Sequence, residues 1–463
     1  MRKFLLGVLV ILAVGVAYAY PKVSIVGYEA TGHTAKNLCS GHFVSGFSGQ
    51  QMMDEAIVPA SSVLRRTSHQ FDERNMFVDV TLMGLFKRRA VFAPGIGCTL
   101  LAPGQLERDF AVTPIMPFAA PSNAPWPAGN GAANRDLAAV NYDALDAAIN
   151  EAFAEPYLPD RRNTKAVVVI YNGELIAEQY ATGVDLATPL HSWSMAKSVT
   201  NMQVGILVGR GDLDLMAPAP IPEWQGADDP RGDVSLDQLL RMSSGLEFDE
   251  TYALDSDATR MLALVPDAGG FAASKPLAYE PDTHWAYSSG TTNILSRMIR
   301  QTVGGSTQDH YSFVQENLFL PIGATTAIFE PDASGTFISS SYMYASARDW
   351  ARLGQLALQD GVWNGARILP AGWMDYSVAP TPTTDLNIYG AQFWLNLNPD
   401  RDGRDRYWPT VPTDAFSMNG YQGQYTISIP SEGLVIVRMG FTPDTSLAGV
   451  NELVSGIIAA IDD

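Results

Sequence analysis

"HSWSMAKSVT", residues 191–200, sets a serine, Ser194, three positions before a lysine, Lys197, at the point where helical periodicity begins. Val199, Met202, Ile206 and Leu207 then recur at helical spacing as far as Gly209 and Gly211, which predicts a helix ended by glycine. Positions i and i+3 share one helix face, so the hydroxyl and the amine come within reach of each other. An ordinary first turn, with Ser194 as a cap and Lys197 solvated, explains the same four residues. The rest of the chain has to decide.

The chain has 463 residues, 46% of them apolar, with 29 prolines, a length and composition for two or three globular domains with a large core. Thirty Lys and Arg stand against 49 Asp and Glu, a net charge of -19. So acidic a surface repels phosphate backbones, and nucleic acid is not an expected partner. The opening "MRKFLLGVLVILAVGVAYAY" carries Arg2 and Lys3, an apolar run from Phe4, and Ala17-Tyr18-Ala19. That layout predicts a secretory signal over residues 1–19 and a periplasmic or secreted protein. An uncleaved membrane anchor is the alternative, and membrane contact is expected only in that case. Cys39 and Cys98 are the only cysteines; in an oxidising compartment they predict one disulfide. Two cysteines make a poor zinc site, and no metal is expected.

Residues 20–115 read as a small β-rich module, from the short alternating segments of "MFVDVTLMGLFKRRAVFAPGIGCTLL". A Pro-, Ala- and Asn-rich linker follows over residues 116–135, and the catalytic region is expected over 136–463. It opens with a helical stripe of Ala144, Leu145, Ala148, Ile149 and Ala152, then two strands about Asn172-Gly173. Residues from about 212 to 335 read as helices and loops, one helix capped by Ser235 with Gln238 three positions on. "SARDWARLGQLALQDG" predicts a further helix, "GQYTISIPSEGLVIVRMG" a second hairpin, and Leu447 to Ile461 a last helix. Strands at both ends of the region then form one antiparallel sheet with the helical block inserted, an α+β fold.

A serine hydroxyl is a poor nucleophile until a base takes its proton. No G-x-S-x-G elbow is present, no H-E-x-x-H exists, and the six histidines are scattered singly. His191, three residues before Ser194, is read as a packing or solvated residue. That leaves Lys197: an amine desolvated among apolar neighbours loses its proton more easily and can act as base. Ser194 at a helix N-terminus also presents its N–H where an oxyanion forms.

"SMAK" on a helix after a hairpin, Tyr287-Ser288-Ser289, and "GYQGQY" opening a late strand together resemble the serine β-lactamase and penicillin-recognising family. The resemblance is strongest to its class C-like branch, which includes carboxylesterases, D-amino-acid peptidases and 6-aminohexanoate-dimer hydrolases. "LLRMSSGLEF" and "ARDWARLGQLALQDGVWNGARIL" extend it over roughly residues 137–463. It implies Ser194 as the acylated nucleophile, Lys197 as its base and Tyr287 as a second acid/base group, with no cofactor; the sequence leaves open which of Lys197 and Tyr287 takes the Ser194 proton first. It places the third motif on Tyr421-Gln422-Gly423 and makes the Gln424 N–H the second oxyanion donor. Ser289 stands where the β-lactamases carry Asn, and Tyr421 where they carry Lys. The implied activity is therefore hydrolysis of a small ester or amide. A true β-lactamase or D-Ala peptidase and a silent envelope protein of the same fold are the rivals.

Overall fold

The structure, a computed structural model, describes residues 2–115, 123–158, 161–384, 387–397 and 406–461; the side chains of residues 1–21 lie outside the described set. Helix α1 (Arg2–Phe43) is followed by an antiparallel meander of β1 (Thr67–Asp72), β2 (Phe77–Leu82), β3 (Leu85–Ala93) and β4 (Gly97–Leu100). In the N-terminal module a long helix thus accompanies the β-rich segment that its sequence showed. The alternation that signalled strands is confined to residues 67–100, while α1 is buried on several sides between Gly27 and Gly41 and packs on β2, β3 and β4. The expected signal segment and its cleavage point after Ala19 lie among the undescribed side chains, within the unbroken α1 backbone. Among the described residues no helix is long and apolar enough to cross a membrane.

The expected catalytic region begins with α2 (Tyr142–Phe153), capped by the Asn141 side chain, and the hairpin β5 (Thr164–Tyr171) and β6 (Glu174–Tyr180). Then come α3 (Ala196–Arg210), α4 (Ser289–Thr302) and α5 (Ala347–Leu358). β7 (Trp394–Leu395), β8 (Phe416–Gly420), β9 (Gln424–Ile429), β10 (Leu434–Gly440) and α6 (Val450–Ile458) close the chain. The strands form one antiparallel sheet in the order β7-β8-β9-β10-β5-β6. Strands from both ends of the region thus meet, as expected. Over residues 212–335 the block between them is helices and loops, as expected, apart from the short strand Ile328–Phe329; the short strands Leu190–His191, Met343–Ala345, Val362–Trp363 and Ala366–Arg367 lie outside that range. It contains the capping box of Ser235 and Gln238.

Both faces of the sheet are covered, which is why β5 reads as a continuous apolar run instead of alternating. Successive side chains point to opposite faces. Val167 and Val169 pack with Leu145, Ile149, Val454 and Ile457 of α2 and α6. Val168 and Ile170 face a second, larger core that includes Val199 and Leu353. Burying each such side chain stabilises by about 1.5–3 kcal/mol.

That larger core continues into the N-terminal module through Ala35, Leu38, Val78 and Val80, so the expected boundary does not separate two cores. Of the expected linker, residues 116–122 lie outside the described residues. The remainder is packed down: Trp126 is buried edge-on against Trp363, and the Gly131 carbonyl accepts from Arg348. Cys39 of α1 and Cys98 of β4 form the expected disulfide, with Cα atoms 6.1 Å apart.

One turn earlier on α1, Lys36 pairs with Glu330, both side chains fully buried. Glu330 also accepts from the Ser40 hydroxyl at 2.9 Å and the Cys98 amide at 2.6 Å. Burial pulls the amine down and the carboxyl up, and each charge opposes the shift of the other. Removing one partner strands a buried charge, at a cost of about 3–5 kcal/mol. Lys36→Met is expected to lower unfolding stability by that amount in urea denaturation. A loss under about 1 kcal/mol would mean that the pair does not bind the module to the rest of the chain.

Candidate active site

The short strand Leu190–His191 is the edge of a three-stranded sheet centred on Met343–Ala345, and the Ser192 amide donates to the Met343 carbonyl at 2.9 Å. The chain then turns sharply. Trp193 has φ +48°, a conformation that costs a bulky residue on the order of 1–3 kcal/mol. Its indole N–H donates to Gln422 Oε1 at 3.1 Å, and its ring stacks on His191 at 4.1 Å. Ser194 sits in the 3-10 turn Trp193–Met195 that runs into α3, two residues before the first residue of that helix. Its side chain is half-buried and open to a reactant, while Lys197 is 1% exposed.

Lys197 Nζ donates to Ser194 Oγ at 3.1 Å, Ser289 Oγ at 3.0 Å and the Ser340 carbonyl at 2.9 Å. The expected i, i+3 contact is made. Burial lowers the amine to about 8, against the upward pull of Glu250. An amine with that value is partly neutral near physiological pH, and its lone pair then faces the Ser194 hydroxyl. The solvated-lysine reading is excluded by this burial.

Tyr287 also borders the amine, with its ring centroid 4.8 Å from Nζ. Trp394 and Tyr389 fix that ring at centroid distances of 5.4 and 5.8 Å. Burial pushes its phenol up, with a hydrogen bond to Ser194 acting the other way. Ser289, at the first position of α4, accepts from Lys197 and donates to Glu250 Oε1 at 2.5 Å. Glu250 and its neighbour Tyr252 (φ +56°) carry no motif, and sequence reasoning missed both. Their only signal is an acidic loop, "EFDETYALD".

The β8–β9 turn approaches from the opposite side. A Cβ on Gly420 would lie 2.1 Å from the Ser192 carbonyl, so only glycine allows this strand end to reach the nucleophile turn. Tyr421 is exposed and packs edge-on against Trp193 at 5.5 Å, one residue from Ser194. Gly423 has φ +78° and leaves room for the Arg438 guanidinium, which donates to its carbonyl. The Gln424 side chain bonds the backbone of Gln422 and Gly440, which fixes the first residue of β9. His191 is buried, bonded to the Ser341 carbonyl at 2.9 Å and held at about 3 by burial. Of the two readings the sequence allowed, packing or solvation, the structure shows packing.

The N-terminal module reaches three parts of this site, a role the sequence did not suggest. His33 of α1 stacks over Trp193 at 6.3 Å, the Ala56 carbonyl accepts from Gln422 at 2.9 Å, and Glu29 accepts from the Asp255 amide at 3.1 Å. Among the described residues no group of three or more His, Cys, Asp or Glu is placed to hold a metal ion.

Residues 151–446 match the family model described as Beta-lactamase. The chain is 24% identical over 315 residues to the 6-aminohexanoate-dimer hydrolase of Paenarthrobacter ureafaciens, covering 64% of this chain and 77% of that protein. Among solved structures it resembles a putative 6-aminohexanoate-dimer hydrolase from Bacillus anthracis, with TM-score 0.53 and 25% identity over 64% of this chain and 78% of that one. A family VIII carboxylesterase superposes with TM-score 0.50 and 17% identity, over 69% of this chain and 96% of its own; at that identity it speaks for the fold alone.

Proposed function

The chain belongs to the beta-lactamase family, and from that premise we propose that it is an exported serine hydrolase acting on small, neutral esters or amides. The observation that carries the reading is the buried Lys197 amine bonded to the half-open Ser194 hydroxyl. In its neutral form Lys197 takes the Ser194 proton while Oγ bonds to the substrate carbonyl carbon. The Ser194 amide, with Gln424 as the expected second donor, receives the oxyanion. As the C–O or C–N bond breaks, the leaving group takes a proton back from the Lys197–Tyr287 pair. Water then enters by the reverse route and frees the acid. The Cys39–Cys98 disulfide and the apolar N-terminal run support an oxidising compartment. An amide activity is favoured by the two 6-aminohexanoate-dimer hydrolase relatives.

Selectivity follows from position 421. A β-lactam brings a carboxylate that has to be desolvated, which is costly without a partner. A lysine there would supply a charge-assisted bond of roughly 1.5–3 kcal/mol. Tyr421 offers a neutral hydroxyl, about half as strong. A loss of about 1.5 kcal/mol is roughly tenfold in kcat/KM. The expected result is far better turnover of p-nitrophenyl butyrate than of nitrocefin, with Tyr421→Lys narrowing the gap by about tenfold. Efficient hydrolysis of nitrocefin by the unaltered protein would favour a β-lactamase instead.

A further inference from the structure

Behind Lys197 lies a carboxylate that the catalytic steps above do not use. Glu250 accepts the Ser289 hydroxyl at 2.5 Å, the Ser289 amide at 2.8 Å and the Tyr252 hydroxyl at 2.9 Å. The Ser289 amide is the first N–H of α4, so the carboxylate sits at the positive end of that helix. Helix capping alone accounts for one of these bonds. It leaves unexplained why the second oxygen takes the one hydroxyl that also accepts from Lys197. The amine and the carboxylate are two hydrogen bonds apart, joined by a single side-chain oxygen.

We propose that Glu250, acting through Ser289, is the positioning residue of Lys197: it anchors the amine beside Ser194 and governs its charge. The proposal rests on the reading of Lys197 as base. An ammonium in this pocket has three N–H groups, and Ser194, Ser289 and the Ser340 carbonyl take one each. The Ser340 carbonyl is fixed backbone, whereas the Ser289 hydroxyl can rotate. Its bond to Glu250 turns the hydroxyl proton away from Lys197, so that the oxygen presents a lone pair to the amine at every stage. The residue at this position therefore has to be both acceptor and donor, and serine is both. Tyr287 also faces Lys197, and Tyr252 and Tyr389 face Glu250. All three are neutral phenols at the pH of interest, which leaves Glu250 as the opposing charge. Lys197 and Glu250 each oppose the effect of burial on the other.

The test has two readings. In Glu250→Gln the amide keeps the shape and loses the charge, so Lys197 gives up its proton more readily. NMR of 13Cε-labelled lysine, assigned with Lys197→Arg, should show the Lys197 midpoint move down by about one to two pH units. The acid limb of kcat/KM for p-nitrophenyl butyrate should move the same way, with the plateau at least tenfold lower and Glu250→Asp recovering part of it. Ser289→Ala, which removes one buried hydroxyl and keeps the carboxylate, should lower kcat at least tenfold with little change in KM; it carries the test if Glu250→Gln does not fold. An unmoved or raised Lys197 midpoint in Glu250→Gln, or a normal kcat in Ser289→Ala, would overturn the proposal. The NMR midpoint is read without turnover. A protein that hydrolyses nothing but shows the shift therefore fails as a hydrolase while the Glu250 linkage stands.

Discussion

Replacing Ser194 by Ala is expected to lower ester turnover by on the order of 10⁵-fold and to abolish labelling by a fluorophosphonate probe. The substitution deletes one oxygen from a half-buried side chain in a turn held by backbone bonds and by the Trp193 contacts. The fold and its melting temperature should not change. What disappears is the atom proposed to form the acyl-enzyme, together with the acceptor for one of the three Lys197 bonds. Any activity left would come from binding and oxyanion stabilisation alone, which is why losses at a nucleophile are so large. Turnover near that of the unaltered protein would remove Ser194 from the mechanism.

Lys197→Arg comes next in size. Arginine keeps the positive charge and stays protonated at any accessible pH, so it cannot take the Ser194 proton. Loss of a general base costs about 10²–10⁴-fold in rate, and the expected effect is at the upper end because the same group also returns the proton. A pH profile separates this from a packing defect. With the amine held at about 8 by burial, the ammonium dominates below that pH and the neutral base above it. Activity of the unaltered protein should therefore rise with pH through that value. The arginine variant should have no such rise. An active Lys197→Arg protein with the same profile would mean that the side chain serves only as a fixed charge.

The linear sequence determined those features that depend on neighbours along the chain. The Asn172-Gly173 hairpin, the Ser235–Gln238 capping box and the continuous apolar β5 each follow from local conformational preference or from burial on both faces. Ser194 and Lys197 were legible for the same reason, since three residues of helix fix their proximity whatever surrounds them. Tyr287 and Ser289 lie some ninety residues further on, and their place beside the lysine came from a family resemblance, not from spacing.

Only the tertiary structure decided the charge of the lysine, because that depends on which groups exclude water from it and which face it. Glu250 is an unremarkable acid in an acidic loop until the fold sets it at the start of α4, two bonds from Lys197. For a related reason the sequence did not reveal the helix of the N-terminal module. Its strands alternate visibly, but α1 is buried on several sides by β2–β4 and by the catalytic region, so its apolar residues form no single stripe. Burial on all sides erases the periodicity from which a helix is read. The same burial brings His33, Ala56 and Glu29 to the candidate active site, contacts between residues whose separation in sequence leaves no local trace.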